Sequence, residues 1–191
     1  FPEAEDMKVW PQLNQQEEDK LYHALCELGN LPAPQARTRL DALEKDHGVR
    51  RDWVWAELGE SPLAMALAPL SCLAKTTQRS LAGGQADDMH QAYVQEGWKA
   101  DDAVLKALAE VTGQREQEAV FTAIRSIYLS WADAAARHLQ SVWRPGDDGL
   151  KRDEPSPHAR EGECVLFVDG LRLDCGKRLA KRLSQRGLNV V

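Results

Sequence analysis

The sequence has 191 residues, of which 43% are hydrophobic and 28% are charged, and its formal net charge is −6. This balance is typical of a folded globular protein and excludes a chain that is disordered throughout. The acidic charge disfavours an extensive interface with DNA or with an anionic membrane, so direct binding of nucleic acid is not expected. No apolar run reaches the roughly 20 residues of a membrane-spanning helix, so no membrane association is expected.

The four cysteines, Cys26, Cys72, Cys164 and Cys175, are scattered and include no CxxC pair. The five histidines show no ligand spacing with them, which argues against a zinc finger or a disulfide framework. Reduced thiols in a cytoplasm are therefore expected. Cys175 lies near the start of a predicted helix, but it has no histidine close in sequence, and a structural thiol is favoured over a nucleophile.

Residues 1–143 are expected to form a helical domain. Leucines at three- and four-residue steps predict helices at 15–28 and 36–47, and each is followed by a glycine that can end it. Both helices therefore have one apolar face for a common core.

A short aromatic helix and a longer helix rich in leucine and alanine are expected next. Asp52 can cap the first, and its Trp53 and Trp55 are expected to pack in the core rather than to stack on nucleic-acid bases. Ser61, which precedes a proline, has the composition of an N-cap for the second helix. Pro69 predicts a kink within that helix.

Three more helices complete the expected domain. The first covers 89–97, and one of the pair Asp101 and Asp102 is expected to cap the second, 103–111. Metal binding by these two carboxylates is the less favoured interpretation, because interaction with the helix dipole explains them. The third, 116–143, has an apolar stripe along its whole length and is expected to be the spine of the domain.

Residues 144–162 have the composition of a linker, with prolines and glycines among charged residues and few large apolar ones. The segment 163–191 differs from everything before it. Its apolar run at 164–168 is typical of a strand buried in a parallel sheet, and it ends at Asp169 and Gly170. A helix with a basic face follows this turn.

The predicted fold class is therefore mainly α, a helical domain followed by the first strand–helix unit of an α/β core. Asp169 has two interpretations. It is a turn or N-cap residue, or it is a hard ligand for a divalent metal at the carboxyl end of a strand, where α/β proteins place their sites. The sequence pattern alone does not decide between them.

Three segments carry a resemblance to a known family. The motif VLFVDGLRLD, Val165–Asp174, resembles the opening motif of the PglZ family of BREX and Pgl phage-exclusion systems. The segments RRDWVWAELGESPLAMAL, Arg50–Leu67, and AYVQEGWKADDAVLKAL, Ala92–Leu108, resemble the helical region that precedes the phosphatase core in that family. The family in turn resembles the alkaline phosphatase superfamily.

This resemblance singles out four residues. Asp169 corresponds to the metal-binding aspartate at the end of the first core strand, and Gly170 would permit close approach of the backbone. Arg172 and Asp174 complete the DGxRxD pattern without an assigned role. The implied metal is zinc, with magnesium or manganese as alternatives, and the chain itself is not expected to bind it.

The resemblance also implies a function. The superfamily has its Thr or Ser nucleophile and its further ligands downstream of the first aspartate, and this chain ends at Val191 before them. No catalytic residue is therefore expected here. The parent protein is expected to be a metal-dependent hydrolase of phosphate esters or diesters, and this chain a non-catalytic docking module for other BREX or Pgl proteins. A pseudo-enzyme scaffold that only assembles the defence complex is the alternative.

Overall fold

The computed structural model of the protein describes residues 9–143, 158–159 and 161–190. These residues form eight α-helices: α1 Pro11–Glu27, α2 Ala33–His47, α3 Val54–Glu57, α4 Pro62–Thr76, α5 Ala86–Ala92, α6 Trp98–Ala109, α7 Gln114–Val142 and α8 Leu173–Gln185. Two 3₁₀ turns, Leu28–Asn30 and Gly48–Asp52, follow α1 and α2. A π-helical turn, Tyr93–Gly97, joins α5 to α6.

The expected mainly helical fold is confirmed for the described residues. The strand expected at 164–168 is not formed among them, because these residues have no regular secondary structure. The expected linker, 144–162, lies largely outside the described residues, as do residues 1–8. In the part that is described, no helix has both the length and the apolarity needed to cross a membrane.

Helix α4 is the central element of the helical body. It contacts α1, α2, α6 and α7, and its buried side chains extend from Leu63 to Ala74. The four leucines of this face, Leu63, Leu67, Leu70 and Leu73, are each at most 2% exposed. The helix passes through Pro69 as one continuous element. The central position therefore belongs to α4 and not to the helix predicted as the spine.

Helix α7 is nonetheless the longest described helix, with 29 residues. Its buried side chains extend from Ala119 to Trp131 only. Beyond Trp131 the predicted apolar stripe continues in sequence, but Leu139 is 39% exposed. The prediction of a long helix is confirmed, and the apolar stripe that the sequence has along its whole length is buried only as far as Trp131. The body of the protein covers only the first part of this helix.

The N-terminus of α4 is capped by a residue distant in sequence. Ser61 occupies the N-cap position, but its hydroxyl donates to Asn14 Oδ1 at 2.8 Å instead of capping the helix. The carboxylate of Glu18 on α1 accepts hydrogen bonds from the backbone N–H groups of Leu63, at 2.9 Å, and Ala64, at 3.3 Å. An anion at a helix N-terminus is stabilised by the unpaired N–H groups and the helix dipole. The cap of α4 is therefore Glu18, and Ser61 binds Asn14.

The same carboxylate is the counter-ion of a buried arginine. Arg50 is 1% exposed, and its Nη2 lies 2.8 Å from Glu18 Oε1 and 2.8 Å from Asn14 Oδ1. The guanidinium also lies over the ring of Trp53, 5.6 Å from the ring centroid. The expected cap at Asp52 is wrong, because Asp52 ends a 3₁₀ turn and α3 begins after Trp53. The ring of Trp53 therefore packs against the buried guanidinium of Arg50.

Candidate metal-ligand segment and its docking interface

Asp169 and Gly170 form the turn that precedes α8. Gly170 has φ of +66°, a left-handed conformation that favours glycine, and a Cβ there would meet no atom within 4 Å. Asp169 is exposed. The predicted tight turn is confirmed, and the role of Asp169 as a metal ligand stays a prediction.

The residues before this turn expose apolar side chains on both faces. Val165 is 47% exposed, Leu166 65%, Phe167 85% and Val168 42%. We call these four residues the exposed run. A strand requires a neighbouring strand to satisfy its backbone N–H and C=O groups, and the described residues provide no such neighbour. This explains why the predicted strand is absent while its apolar composition remains.

Helix α8 is attached to the helical body through α6. Its residue Asp174 is 1% exposed, and Arg172 Nε donates to Asp174 Oδ1 at 3.0 Å. One turn later, Arg178 Nε lies 3.3 Å from Asp102 Oδ1 on α6, and its Nη2 lies 3.8 Å from Asp174 Oδ2. These side chains form what we call the docking interface. The DGxRxD pattern therefore contributes two of its residues to contacts within the protein.

On the helical body, Asp102 is the carboxylate that pairs with Arg178. It is 7% exposed and also pairs with Lys106, with 2.6 Å between Nζ and Oδ2. Arg178 belongs to the basic face expected on α8, and its side chain is 40% exposed. Its guanidinium also links α8 to α6 and donates a hydrogen bond to Cys175 Sγ at 3.3 Å.

Asp101 ties three helical segments together beside this interface. The hydroxyls of Tyr93, on the π-helical turn, and of Tyr128, on α7, both donate to its carboxylate. Burial, and next the hydrogen bond to Asp101, raise the pKa of Tyr93 to about 12. The same causes raise the pKa of Tyr128 above its usual value. Both tyrosines are therefore neutral donors throughout the physiological range.

The expected capping role of Asp101 and Asp102 is wrong. Helix α6 begins at Trp98, so both carboxylates lie inside the helix. The sequence analysis identified the pair and misassigned it, because the tyrosines and Arg178 that bind these carboxylates are distant in sequence. Asp102, followed four positions later by Lys106, was a local signal of an interior position.

A complete metal site is not present in the described residues. Among them, no group of three or more His, Cys, Asp or Glu side chains is placed to hold a metal ion. Protein sites for divalent metals use about four or more ligands, and Asp169 offers one carboxylate. The residues described here therefore do not fit a bound zinc, magnesium or manganese ion by themselves.

All four cysteines are free thiols. Cys72 and Cys164 are exposed, and Cys26 and Cys175 are half-buried. This agrees with the prediction that the chain has no disulfide framework. Cys175 accepts a hydrogen bond from Arg178 and is one component of the contacts around the docking interface.

Comparison with known proteins identifies no relative of this chain. No protein-family model matches it, and no curated protein and no solved structure matches it. The function is therefore argued from the residues and their placement.

Substitution of Asp174 by alanine is expected to loosen α8 from α6. Asp174 is the buried anion that faces Arg172 and Arg178, and its loss removes the charge-assisted hydrogen bond from Arg172 and the counter-charge of Arg178. We expect hydrogen exchange of the α8 backbone amides to become about tenfold faster, as for a loss of roughly 1 to 2 kcal/mol. Hydrogen exchange read by mass spectrometry measures this rate.

The matched control is Asp169→Ala, which removes an exposed carboxylate of the turn before the same helix. Its exchange rates in α8 are expected to stay within about twofold of the wild type. Equal rates in Asp174→Ala and the wild type would mean that the leucines of α8, and not the docking interface, hold the helix in place.

Proposed function

We propose that this chain is the helical N-terminal part of a PglZ-type protein, a metal-dependent phosphatase-like hydrolase of a BREX or Pgl phage-exclusion system. In this proposal the parent protein acts on phosphate esters or diesters in the cytoplasm, and the helical part binds other components of the defence system. The observation that supports it best is the placement of the motif Val165–Asp174. Its apolar half is exposed, and its polar half leads into α8, which is held on α6 of the helical body through Arg178 and Asp102.

The helix that follows the motif, α8, is the part of the proposed α/β core that the helical body holds in place. A helix that follows a strand in such a core must keep a fixed position beside the sheet. Arg178 on α8 pairs with Asp102 on α6 and lies beside the buried Asp174 of its own helix, and this holds α8 on α6. On this proposal the helical body holds the first helix of the phosphatase-like core, and the remaining core assembles against it.

The exposed half has the properties of a strand that is completed by other residues. Both faces of the exposed run are apolar, as in strands covered by helices on both sides of a parallel sheet. Pairing would turn these residues into the first core strand and would place Asp169 at its carboxyl end. That is the edge at which α/β proteins bind their ligands.

The test uses the parent polypeptide and bis(p-nitrophenyl) phosphate as a chromogenic diester, with zinc or magnesium added. We expect metal-dependent turnover that falls about 100-fold or more in Asp169→Ala, since a metal contributes several kcal/mol to such reactions. Asp46→Ala, which removes an exposed carboxylate of α2, is the control and is expected to keep full activity. Absence of turnover in the wild type would favour the pseudo-enzyme scaffold.

The docking role has a separate test. The 191-residue chain is immobilised, and each other protein of the defence system is passed over it. Retention of at least one of them supports a docking module. If none is retained while the diesterase assay succeeds, the helical part serves the phosphatase-like core alone.

A further inference from the structure

An open cleft of about 450 Å³ lies beside the π-helical turn, away from the exposed run and from Asp169. Its walls come from the end of α4, the turn after it, residues 95–97 and the buried part of α7. This volume is within the range of roughly 300–1,000 Å³ that small-molecule sites occupy. Neither the resemblance nor the proposed function assigns a role to this cleft.

The apolar wall of the cleft contains Trp131 and Leu81. The indole Nε1 of Trp131 donates to the backbone carbonyl of Arg79 at 2.7 Å, which satisfies its only donor and fixes the orientation of the ring. Gly97 packs closely here, since a Cβ on it would lie 3.2 Å from Leu81. A rigid aromatic ring beside an aliphatic side chain is a surface on which a planar apolar group packs well.

The charges around the cleft have a positive excess. Lys75 and Arg79 line it, and the structure describes no salt bridge for either of them. The carboxylate that also lines it, Glu96, is held by Lys99, whose Nζ lies 2.8 Å from each of its oxygens. The hydrogen bond from Lys99, and more weakly the charge of Arg79, hold the pKa of Glu96 below its usual range. Two cations therefore line the cleft with one carboxylate, which Lys99 already neutralises.

The backbone beside the cleft has an uncommon conformation. Residues Tyr93–Gly97 form a π-helical turn, which inserts an extra residue into the helix and frequently occurs at functional sites. Tyr93 is held from behind by its bond to Asp101, while Gln95, Glu96 and Gly97 face the cleft. The turn is thus anchored on one side and available on the other.

We propose that this cleft binds a small organic anion in which a planar apolar ring carries a carboxylate, sulfonate or phosphate group. The ring packs against Trp131 and Leu81, and the anionic group is bound by Arg79 and Lys75. A guanidinium and an ammonium are suited to such groups because they donate charge-assisted hydrogen bonds. A polyanion does not fit, since the whole chain has a net charge of −6 and the cleft encloses a small volume.

The experiment compares two fluorescent probes that share their ring system and differ in charge, anilinonaphthalene sulfonate and N-phenylnaphthylamine. Both are titrated into the 191-residue chain. In the double variant Lys75→Gln with Arg79→Gln, the affinity for the sulfonate is expected to fall about tenfold, and that for the neutral probe to stay within about twofold. The substitution at Arg79 keeps the backbone carbonyl that holds Trp131, so the ring stays in place.

Two controls locate the probe. Lys45→Gln changes the charge of an exposed residue on α2 and is expected to leave both affinities unchanged. Phe167→Ser alters the exposed run, the other apolar surface that could take up a naphthalene ring. In NMR spectra, the indole N–H resonance of Trp131, assigned with Trp131→Phe, is expected to shift when the sulfonate is added.

The proposal is overturned by any of three results. These are an unchanged sulfonate affinity in the double variant, an equal loss in Lys45→Gln, and a loss in Phe167→Ser with no shift of the Trp131 resonance. The first removes the anion site, the second reduces it to general electrostatic attraction, and the third places the probe on the exposed run. Circular dichroism confirms that each variant is folded before it is titrated.

Discussion

Replacement of Glu18 by alanine is expected to lower the free energy of unfolding by about 3 to 5 kcal/mol, the usual cost of removing one partner from a buried ion pair. The change leaves the guanidinium of Arg50, 1% exposed, without its counter-ion. It also leaves the N–H groups of Leu63 and Ala64 without their acceptor at the start of α4. Urea unfolding followed by circular dichroism measures the loss.

The neighbouring residue provides the control. Glu17 is 23% exposed, pairs with Lys20, which is 66% exposed, and lies 3.7 Å from Nδ1 of His47, so its removal leaves no buried arginine unpaired. Pairs with such an exposed partner contribute about 0 to 1 kcal/mol. Glu17→Ala is therefore expected to cost less than about 1 kcal/mol. A comparable loss in the two variants would show that water reaches Arg50 and that the Glu18 cap contributes little.

Truncation of Ile127 to alanine is expected to cost about 2 to 5 kcal/mol, because it opens a cavity in a close-packed interior. Ile127 is fully buried on α7, where this helix meets the core formed with α4. The transition midpoint in urea is expected to fall with little change in the slope of the transition.

The matched control for this substitution lies on the same helix. Leu129, two residues further on, is 55% exposed, and Leu129→Ala is expected to change stability by less than about 0.5 kcal/mol. If Leu129→Ala destabilised the protein as much as Ile127→Ala, the outer face of α7 would have to be covered in solution, for example by a second copy of the chain.

The sequence predicted best those helices whose apolar residues repeat with the helical period. The helices expected at 15–28, 36–47 and 116–143 are confirmed as α1, α2 and α7, with ends that differ by a few residues. Their periodicity reports which side of each helix is apolar, and this property is local. It does not report how much of that side another element covers, and the second half of α7 has the apolar stripe without the burial.

The polar residues were predicted less well, since their partners are distant in the chain. Ser61 has the sequence context of an N-cap, and the cap of α4 is Glu18, 45 residues before Leu63. Asp101 and Asp102 have the composition of a helix start, but they lie inside α6, which begins at Trp98. There Tyr128 binds the first and Arg178 the second. A carboxylate selects its partner by proximity in the folded state, which spacing along the sequence does not encode.

The candidate site was predicted in part. The turn at Asp169 and Gly170 and the helix after it could be predicted from an apolar run, an Asp-Gly pair and the leucine spacing that follows. The strand could not form from the described residues, because its hydrogen bonds need a second strand. The sequence therefore identified a segment with strand composition, and the state of that segment depends on residues that pair with it.

The exposed run also has a consequence for the behaviour of the protein at high concentration. Val165–Val168 combines high β-propensity with the absence of charge, proline and glycine, which is the composition of segments that stack into cross-β aggregates. Glu163 and Asp169 flank it and have the character of gatekeeper charges, which discourage such stacking. The colloidal stability of the protein thus depends on two carboxylates, one of which is the residue proposed to serve as a metal ligand.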